Sequence, residues 1–303
     1  NPPIDSLREN EVMSLKTRFG NLGNILDFEN LTKDNIYVLE SPILSNSHFE
    51  KFTMFFKNSL KVLDCTLNVQ KNLKKRLDEL CLEAEVAVRE GCKHLVLSDK
   101  KISEKKTAIP MILVLGAVNS RLTKLGIRGF VSINVQTSEV LDTHSFAVLL
   151  GIGSTTINPY LVFDSIHQRY EKKLFGKLSY RECIQRYIKS VDNGLLKIMS
   201  KMGISVLSSY RGGCNFETVG LSRAIVADYF PGMISRISGI GIFGIEKKLK
   251  KVHKKAFQKN VSILPIGGIY KYRKNGESHQ YQGQLIHTLQ SAVTINSYEV
   301  YKK

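Results

Sequence analysis

The sequence predicts an α/β fold in which mostly parallel strands alternate with helices. Short β-branched, apolar segments recur along the chain, and segments with apolar residues at helical spacing separate them. Because parallel strands of one sheet need long crossover connections, intervening helices are the expected connectors. Both an open sheet and an incomplete (β/α) barrel agree with this pattern.

The first half of the chain shows the alternation in three strand and helix pairs. The helix that starts at Leu73 has apolar residues at Leu77, Leu80 and Ala84, and Gly91 is its expected end. The strands are predicted at residues 93–99, 130–135 and 155–157. The further helices are predicted at residues 110–125, before Gly126, and at residues 144–150.

The second half continues the alternation. Ser179 and Glu182 form a capping box, which predicts a helix start because both side chains satisfy backbone N–H groups. A separate helix is predicted around residues 195–202, with Gly203 after it. The elements predicted next are a strand at 204–207, a short helix ending at Gly220, a strand at 233–238, a helix at 245–257 and a strand at 261–266.

Composition excludes several classes of protein. The 303 residues are 43% hydrophobic and 23% charged, which is unlike a disordered chain. Five cysteines, an odd number without a C-x-x-C pair, indicate neither a disulfide framework nor a zinc site, and a reducing compartment is expected. The longest apolar run, residues 109–118, is too short to span a bilayer, so no membrane partner is expected.

The net charge of +17 has two interpretations. Basic segments at residues 71–76, 100–106, 172–177 and 247–259 are either solvated surfaces or a site for an anionic partner. The last segment holds seven lysines on one predicted helix, with Tyr270, Tyr272 and Arg273 beyond it as possible stacking groups. A stand-alone basic module that binds RNA or another anionic partner is therefore the alternative function.

Recognisable catalytic motifs are few. Residues 239–244 match G-x-G-x-x-G, but no Asp or Glu occurs from residue 247 to 276 to hold a ribose, so a structural glycine turn is favoured. The seven histidines form no H-x-x-x-H pair, and no G-x-S-x-G is present. Ser98 and Asp99 follow a predicted strand, where a capped turn is favoured over a site. No catalytic, cofactor-binding or metal-binding residue is predicted.

Several segments together resemble the central domain of glutamate synthase, from one end of the chain to the other. Residues 1–9 (N-P-P-I-D-S-L-R-E) and 39–44 (L-E-S-P-I-L) are similar to its opening segments. Residues 194–205 (G-L-L-K-I-M-S-K-M-G-I-S) nearly repeat its G-L-L-K-V-M-S-K-M-G-I-S motif. Residues 209–212 (S-Y-R-G), 235–241 (S-R-I-S-G-I-G) and 267–279 continue the resemblance.

The resemblance implies a role in glutamate biosynthesis and ammonia assimilation. In this family L-glutamine, 2-oxoglutarate and two electrons give two L-glutamate, with glutaminase and FMN-binding domains on either side of the central domain. FMN and a 3Fe–4S cluster are implied for the whole enzyme and none for this segment. The implied electron donor is ferredoxin or a pyridine-nucleotide-oxidising subunit, and the implied compartment is the cytoplasm or the plastid stroma.

The resemblance also implies a division of the chain and a set of contact residues. Residues 1–260 are expected to be the central domain, and residues 261–303 a linker to the FMN-binding domain. The central domain is expected to link the two reaction centres and to form part of the wall of an ammonia tunnel. The residues expected near the tunnel or at domain contacts are Asn1, Pro2, Pro3, Ser200, Lys201, Ser209, Arg211, Glu217, Ser235 and Arg236.

Overall fold

The computed structural model describes residues 8–20, 26, 36–258, 266–268 and 271–302. The chain divides into two compact units, Asn1–His253 and Lys254–Lys303. The predicted strand at 261–266 and the predicted contact residues Asn1, Pro2 and Pro3 fall outside the described residues, except for Ile266.

A four-stranded parallel sheet is the centre of the first unit. Its strands are β3 (Leu60–Asp64), β5 (His94–Ser98), β7 (Ser132–Gln136) and β8 (Thr156–Asn158), and they lie side by side in chain order. Leu97 pairs with Val135, and Val135 pairs with Ile157. The α/β class with parallel strands is confirmed, and the described part of the chain shows an open sheet rather than a closed barrel.

Three helices connect these strands and cover one face of the sheet. They are α3 (Leu73–Arg89), α4 (Met111–Lys124) and α5 (Thr143–Ile152). The sequence explains their ends, because the Asn72 and Asp142 side chains cap α3 and α5, while Gly91 and Gly126 adopt positive φ after α3 and α4. The alternate strand residues Leu95, Leu97, Ile133, Val135 and Ile157 join the apolar core with these helices.

An aromatic cluster covers part of the opposite face. It comes from the antiparallel strands β1 (Thr17–Phe19) and β2 (Tyr37–Leu39) and from helix α2 (Asn46–Phe55). Phe19, Phe52 and Phe56 pack against the ring of His94, with the Phe56 and His94 centroids 4.0 Å apart. These elements therefore bury the side of the sheet that the connecting helices leave open.

The described residues form further helices and strands. The hairpin β4 (Thr66–Asn68) and β6 (Lys106–Ala108) is antiparallel, and β9 (Glu217–Leu221) and β10 (Ile234–Ile240) form a separate parallel ribbon. The helices are α1 (Glu9–Val12), α6 (Tyr160–Glu171), α7 (Tyr180–Lys201), α8 (Leu207–Tyr210), α9 (Arg223–Tyr229), α10 (Ile242–Ala256), α11 (Gly283–Thr294) and α12 (Tyr298–Tyr301).

Three predictions in the second half are wrong. The capping box at Ser179 does start a helix, but that helix, α7, runs on through Gly194 instead of ending before a second helix. A Cβ at Gly194 would overlap the Thr143 side chain, so this glycine allows α7 to approach α5 closely.

The other two errors concern neighbouring segments. The predicted strand at 204–207 forms only a single bridge, between Val206 and Ser14, before α8 begins. The predicted helix ending at Gly220 is the strand β9. In each case a partner far along the chain decides the local structure, which short-range patterns do not reveal.

Candidate functional site: the polar face of the sheet

The sheet face opposite the connecting helices carries the apolar Val96 on β5 and, around it, a layer of polar side chains. Its members, here called the polar face, share alternate positions on β5, β7 and β8; they are His94, Ser98, Ser132, Asn134, Gln136, Thr156 and Asn158. All except Ser132, which is partly exposed, are buried. Since side chains alternate between the two faces of a strand, the same strands that supply the apolar core on one side supply this polar layer on the other.

The first row of the polar face crosses three strands. His94 Nδ1 and Ser132 Oγ are 2.8 Å apart, and Asn134 Nδ2 donates to Ser132 Oγ at 3.0 Å. The Thr156 hydroxyl donates to Asn134 Oδ1 at 2.7 Å. Burial, and then the charge of Lys93, lower the pKa of His94 to about 4, so its imidazole is neutral at pH 7.

The second row lies at the carboxyl ends of the strands. The Ser98 hydroxyl donates to Gln136 Oε1 at 2.7 Å, and Gln136 Nε2 donates to Asn158 Oδ1 at 3.1 Å. Asn158 Nδ2 then donates to the Leu44 carbonyl at 2.9 Å and to Asn46 Oδ1 at 3.0 Å. This row joins three strands to the start of α2 through uncharged groups alone.

A buried carboxylate lies just beyond this row. Asp99 accepts hydrogen bonds from the hydroxyl groups of Thr137 and Ser138, at 2.7 and 3.2 Å, and from the Ser138 backbone N–H. Three donor groups occupy the oxygens of one carboxylate, which fits a structural clamp between two strand ends rather than a general base. The sequence favours a capped turn at Ser98 and Asp99. In the structure, Asp99 also holds the end of β5 against the end of β7.

Two further ionisable groups border the clamp. Glu139 accepts the Met111 backbone N–H at 2.7 Å, at the start of α4, and burial followed by the charge of Asp99 raises the pKa of Glu139. Burial and then the Asp99 charge also raise the pKa of Tyr160. The arrangement offers positioned hydrogen-bonding groups, but each described side chain is already engaged in holding the fold.

Arg211, one of the predicted contact residues, lies at the opposite, amino-terminal ends of the strands. Its guanidinium donates to the carbonyls of Ser154 and Thr155 at 3.0 and 3.2 Å and to the Thr17 hydroxyl at 3.1 Å. Arg128 nearby donates to the carbonyls of Val131 and Gly153 and to Asn119 Oδ1. Burial and then the charge of Arg211 lower the pKa of Arg128 to about 10.

Three other predicted contact residues lie together on the ribbon. Glu217 on β9 and Arg236 on β10 form an exposed ion pair of 3.5 Å. Ser235, between Ile234 and Arg236, has a buried hydroxyl oxygen with no hydrogen-bond partner in the described part of the chain.

The last three predicted contact residues lie elsewhere. Ser200 is buried and its hydroxyl donates to Glu9 Oε1 at 2.7 Å, which ties α7 to α1. Lys201 and Ser209 are exposed. Among the predicted contact residues that the structure describes, Glu217, Ser235 and Arg236 therefore form the one cluster.

The cysteines do not fit an iron–sulfur cluster. Cys65 is in the core, Cys81 is on α3 and Cys183 is on α7, and all five cysteines are free thiols. Within the residues that the structure describes, no group of three or more His, Cys, Asp or Glu side chains could hold a metal ion. Burial raises the pKa of Cys65, and that of Cys81 to about 11, which disfavours the thiolate that ligates metals.

The first glycine of the motif at residues 239–244 serves the ribbon. A Cβ at Gly239 would overlap the backbone carbonyl of Gly220 on the neighbouring strand, so glycine is needed there for close strand contact. Close packing of β10 against β9 is thus the structural reason for glycine at this position of the motif.

Three of the basic segments meet on one surface. Glu246 on α10 accepts the Leu73 N–H at 2.8 Å, Lys250 donates to the Lys71 carbonyl at 2.9 Å, and His253 Nε2 lies 3.0 Å from the Glu104 carbonyl. The proximity of these segments was not visible in the sequence, because 173 residues separate Leu73 from Glu246.

The polar face itself was missed at the sequence level. A signal was present: Ser132, Asn134 and Gln136 alternate with Ile133 and Val135. That pattern ordinarily indicates a strand with one face in water, whereas in the folded chain β1, β2 and α2 cover part of this face.

Comparisons with known proteins give a consistent result. Residues 1–222 match the family model described as glutamate synthase central domain. The chain is 50% identical over 306 residues to the glutamate synthase [NADPH] large chain of Azospirillum brasilense and 37% identical over 308 residues to that of Bacillus subtilis. It is 36% identical over 322 residues to the chloroplastic ferredoxin-dependent glutamate synthase of Oryza sativa.

These matches cover all of this chain but only a part of each relative. The chain spans 20% of the length of each of the three relatives. Their names refer to glutamate synthesis, so the RNA-binding alternative gains no support. Among the described helices, none is long and apolar enough to cross a membrane.

Proposed function

The chain belongs to the glutamate synthase central domain family, and on that premise we propose that it is the connecting domain of a glutamate synthase. The complete enzyme would convert L-glutamine, 2-oxoglutarate, two electrons and two protons into two L-glutamate. The observation that carries the proposal is the match of residues 1–222 to the central domain, together with a chain that spans one fifth of the relatives.

In this proposal the chemistry belongs to the flanking domains, and this chain holds them in place. The glutaminase site, the FMN and the 3Fe–4S cluster lie outside it, and electrons come from ferredoxin or a pyridine-nucleotide-oxidising subunit. Two observations support this division: the five cysteines are free and lie in different parts of the chain, and the oxygens of Asp99 are already occupied by hydrogen bonds within the chain. The proposed compartment is the cytoplasm or the plastid stroma, and chloroplastic relatives support the latter.

The domain boundary is proposed near residue 260, with residues 261–303 leading towards the FMN-binding domain. The division of the chain into the units Asn1–His253 and Lys254–Lys303 supports a boundary in this region.

The polar face is the feature that best fits a wall of the ammonia path. Ammonia in water at neutral pH is mostly protonated, so a shielded, mainly neutral path keeps it reactive until it meets 2-oxoglutarate. The two rows of the polar face offer neutral amide and hydroxyl groups, and His94 is uncharged at pH 7. The segment around Asn1, Pro2 and Pro3 remains the proposed point of nearest approach to the tunnel.

A domain exchange tests the connecting role. This chain would replace the matching fifth of the Azospirillum brasilense large chain, and glutamate formation from glutamine would be measured. We expect the chimera to make glutamate, while this chain alone shows no glutaminase activity, flavin absorbance or glutamate formation. A folded, flavin-loaded chimera that makes no glutamate, or activity in this chain alone, would contradict the proposal.

A charge in the polar face tests the tunnel wall. Gln136→Glu in the chimera adds a carboxylate with almost no change in shape. We expect glutamine hydrolysis to continue while glutamate formed per glutamine consumed falls from two towards one. Gln168→Glu, on the exposed side of α6, is the matched control and should keep the native ratio. An unchanged ratio in both variants would remove the polar face from the path.

A further inference from the structure

The two-stranded ribbon of β9 and β10 is largely exposed to solvent. Each strand has one neighbour among the described strands, and the register slips twice, with three residues of β10 opposite two of β9. Edge strands expose backbone groups that pair readily with another segment, and a sheet of two strands is marginal without further packing.

The ribbon also exposes large apolar side chains. Val219 on β9 is 67% exposed, and Ile234, Ile237 and Ile240 on β10 are 53%, 61% and 45% exposed. Single exposed apolar residues are ordinary, but a contiguous group usually marks an interaction surface.

A groove of about 800 Å³ lies beside the ribbon. Its apolar walls come from α4, α5, the ribbon and α10, and include Ile112, Val148, Val219, Ile240, Leu249 and Val252. All of its lining residues belong to the first compact unit.

The polar groups of the groove lie among these walls. His144, Glu217 and Lys248 contribute to the lining, and Glu217 already pairs with Arg236. Lys248 is an exposed cation on α10, so an acidic side chain on the occupant would complement it.

We propose that this groove docks an apolar segment of the glutamate synthase polypeptide that lies outside this chain. The inference rests on the proposed function and names a contact surface for it. Four fifths of each relative's length lies beyond the matching region, so the enzyme has ample further chain to cover the groove. The occupant presents an apolar face to Val219 and Val252 and a carboxylate to Lys248, in keeping with the strong positive charge of this chain.

The surface gives three of the predicted contact residues a shared location. Glu217 lines the groove, while Ser235 and Arg236 lie on the adjoining strand. The Ser235 hydroxyl oxygen is buried and has no hydrogen-bond partner among the residues that the structure describes.

Amide hydrogen exchange on the Azospirillum chimera tests the docking. Residues 217–221 and 242–252 should exchange at least about tenfold more slowly in the chimera than in this chain alone, since tenfold corresponds to about 1.4 kcal/mol of contact free energy. Val252→Asp in the chimera should speed exchange at residues 217–221 by about the same factor. Leu82→Asp on α3 is the control, because Leu82 is 58% exposed and Val252 is 57% exposed.

The outcomes separate this inference from the proposed function. An active chimera with unprotected groove amides, or with equal effects of Val252→Asp and Leu82→Asp, overturns the docking and leaves the connecting role intact. An inactive chimera contradicts the connecting role itself. Protection in this chain alone that grows with protein concentration would show that a second copy occupies the groove, which also overturns the inference.

A folding control accompanies these measurements. The isolated chain with Val252→Asp should melt at the same temperature as the unmodified chain, as expected for an exposed position.

Discussion

The Thr137 hydroxyl donates a hydrogen bond of 2.7 Å to Oδ2 of Asp99, and this contact joins the ends of two neighbouring strands. Asp99 is fully buried and directly follows β5, while Thr137 directly follows β7. The clamp holds together the carboxyl ends of β5 and β7, where the second row of the polar face lies.

Asp99→Asn should therefore destabilise the protein. An amide presents one acceptor oxygen and adds two donors where the clamp already supplies N–H and O–H donors, so at least one buried group loses its partner. We expect the free energy of unfolding to fall by about 1–3 kcal/mol. Urea unfolding followed by far-UV circular dichroism measures this, since the chain has no tryptophan. Asp78→Asn on the exposed side of α3 is the control, and an equal effect of both would contradict the clamp.

Asp192→Asn should change how stability depends on pH. Burial raises the pKa of Asp192 to about 6, although Ser41 donates to its carboxylate at 2.7 Å. Since the folded state holds this proton more tightly than the unfolded state, the stabilising contribution is present below about pH 4 and is lost as pH rises through 6.

The variant lacks this titration, so we expect it to be more stable than the parent by about 1–3 kcal/mol at pH 7 and equal to it near pH 4. Urea unfolding at both pH values measures the difference. Asp228→Asn, at an exposed carboxyl on α9, is the matched control. A difference of the same size at pH 4 and pH 7 would refute the assignment to Asp192.

Arg211→Lys should destabilise despite keeping the charge. The guanidinium reaches two carbonyls and the Thr17 hydroxyl at once, and an ammonium cannot reproduce this planar geometry. We expect a loss of about 1–3 kcal/mol in the free energy of unfolding. Arg186→Lys, on the exposed side of α7, is the matched control and should change little. Thermal melts of both variants measure the difference in stability.

Gly239→Ala should disturb the ribbon, whereas Gly241→Ala should be tolerated. A Cβ at Gly239 overlaps the Gly220 carbonyl, while a Cβ at Gly241 meets only the Ser222 hydroxyl at 3.9 Å. Forcing extra volume into a close contact costs about 1–3 kcal/mol, so the Gly239 variant should melt at a lower temperature. If the two variants melted alike, strand contact would not be the reason for glycine at 239.

Much of the fold could be predicted because its local signals were strong. The apolar stripe of α3 ending at Gly91 and the capping box at Ser179 both depend on residues within a few positions of each other. Two of the three errors fell on residues 204–207 and on β9, where pairing with Ser14 and with β10 decides the structure. Local propensity has no access to such partners.

By itself, the sequence determined the α/β class, the parallel alternation, the ends of the main helices and the family. Only the tertiary structure decided which polar residues form a buried layer and which charged residues act together. Ser98 meets Gln136 from 38 positions away, and Glu246 caps α3 from 173 positions away. Sequence periodicity reports which side of an element a residue occupies, whereas burial and hydrogen bonding depend on what folds against that side.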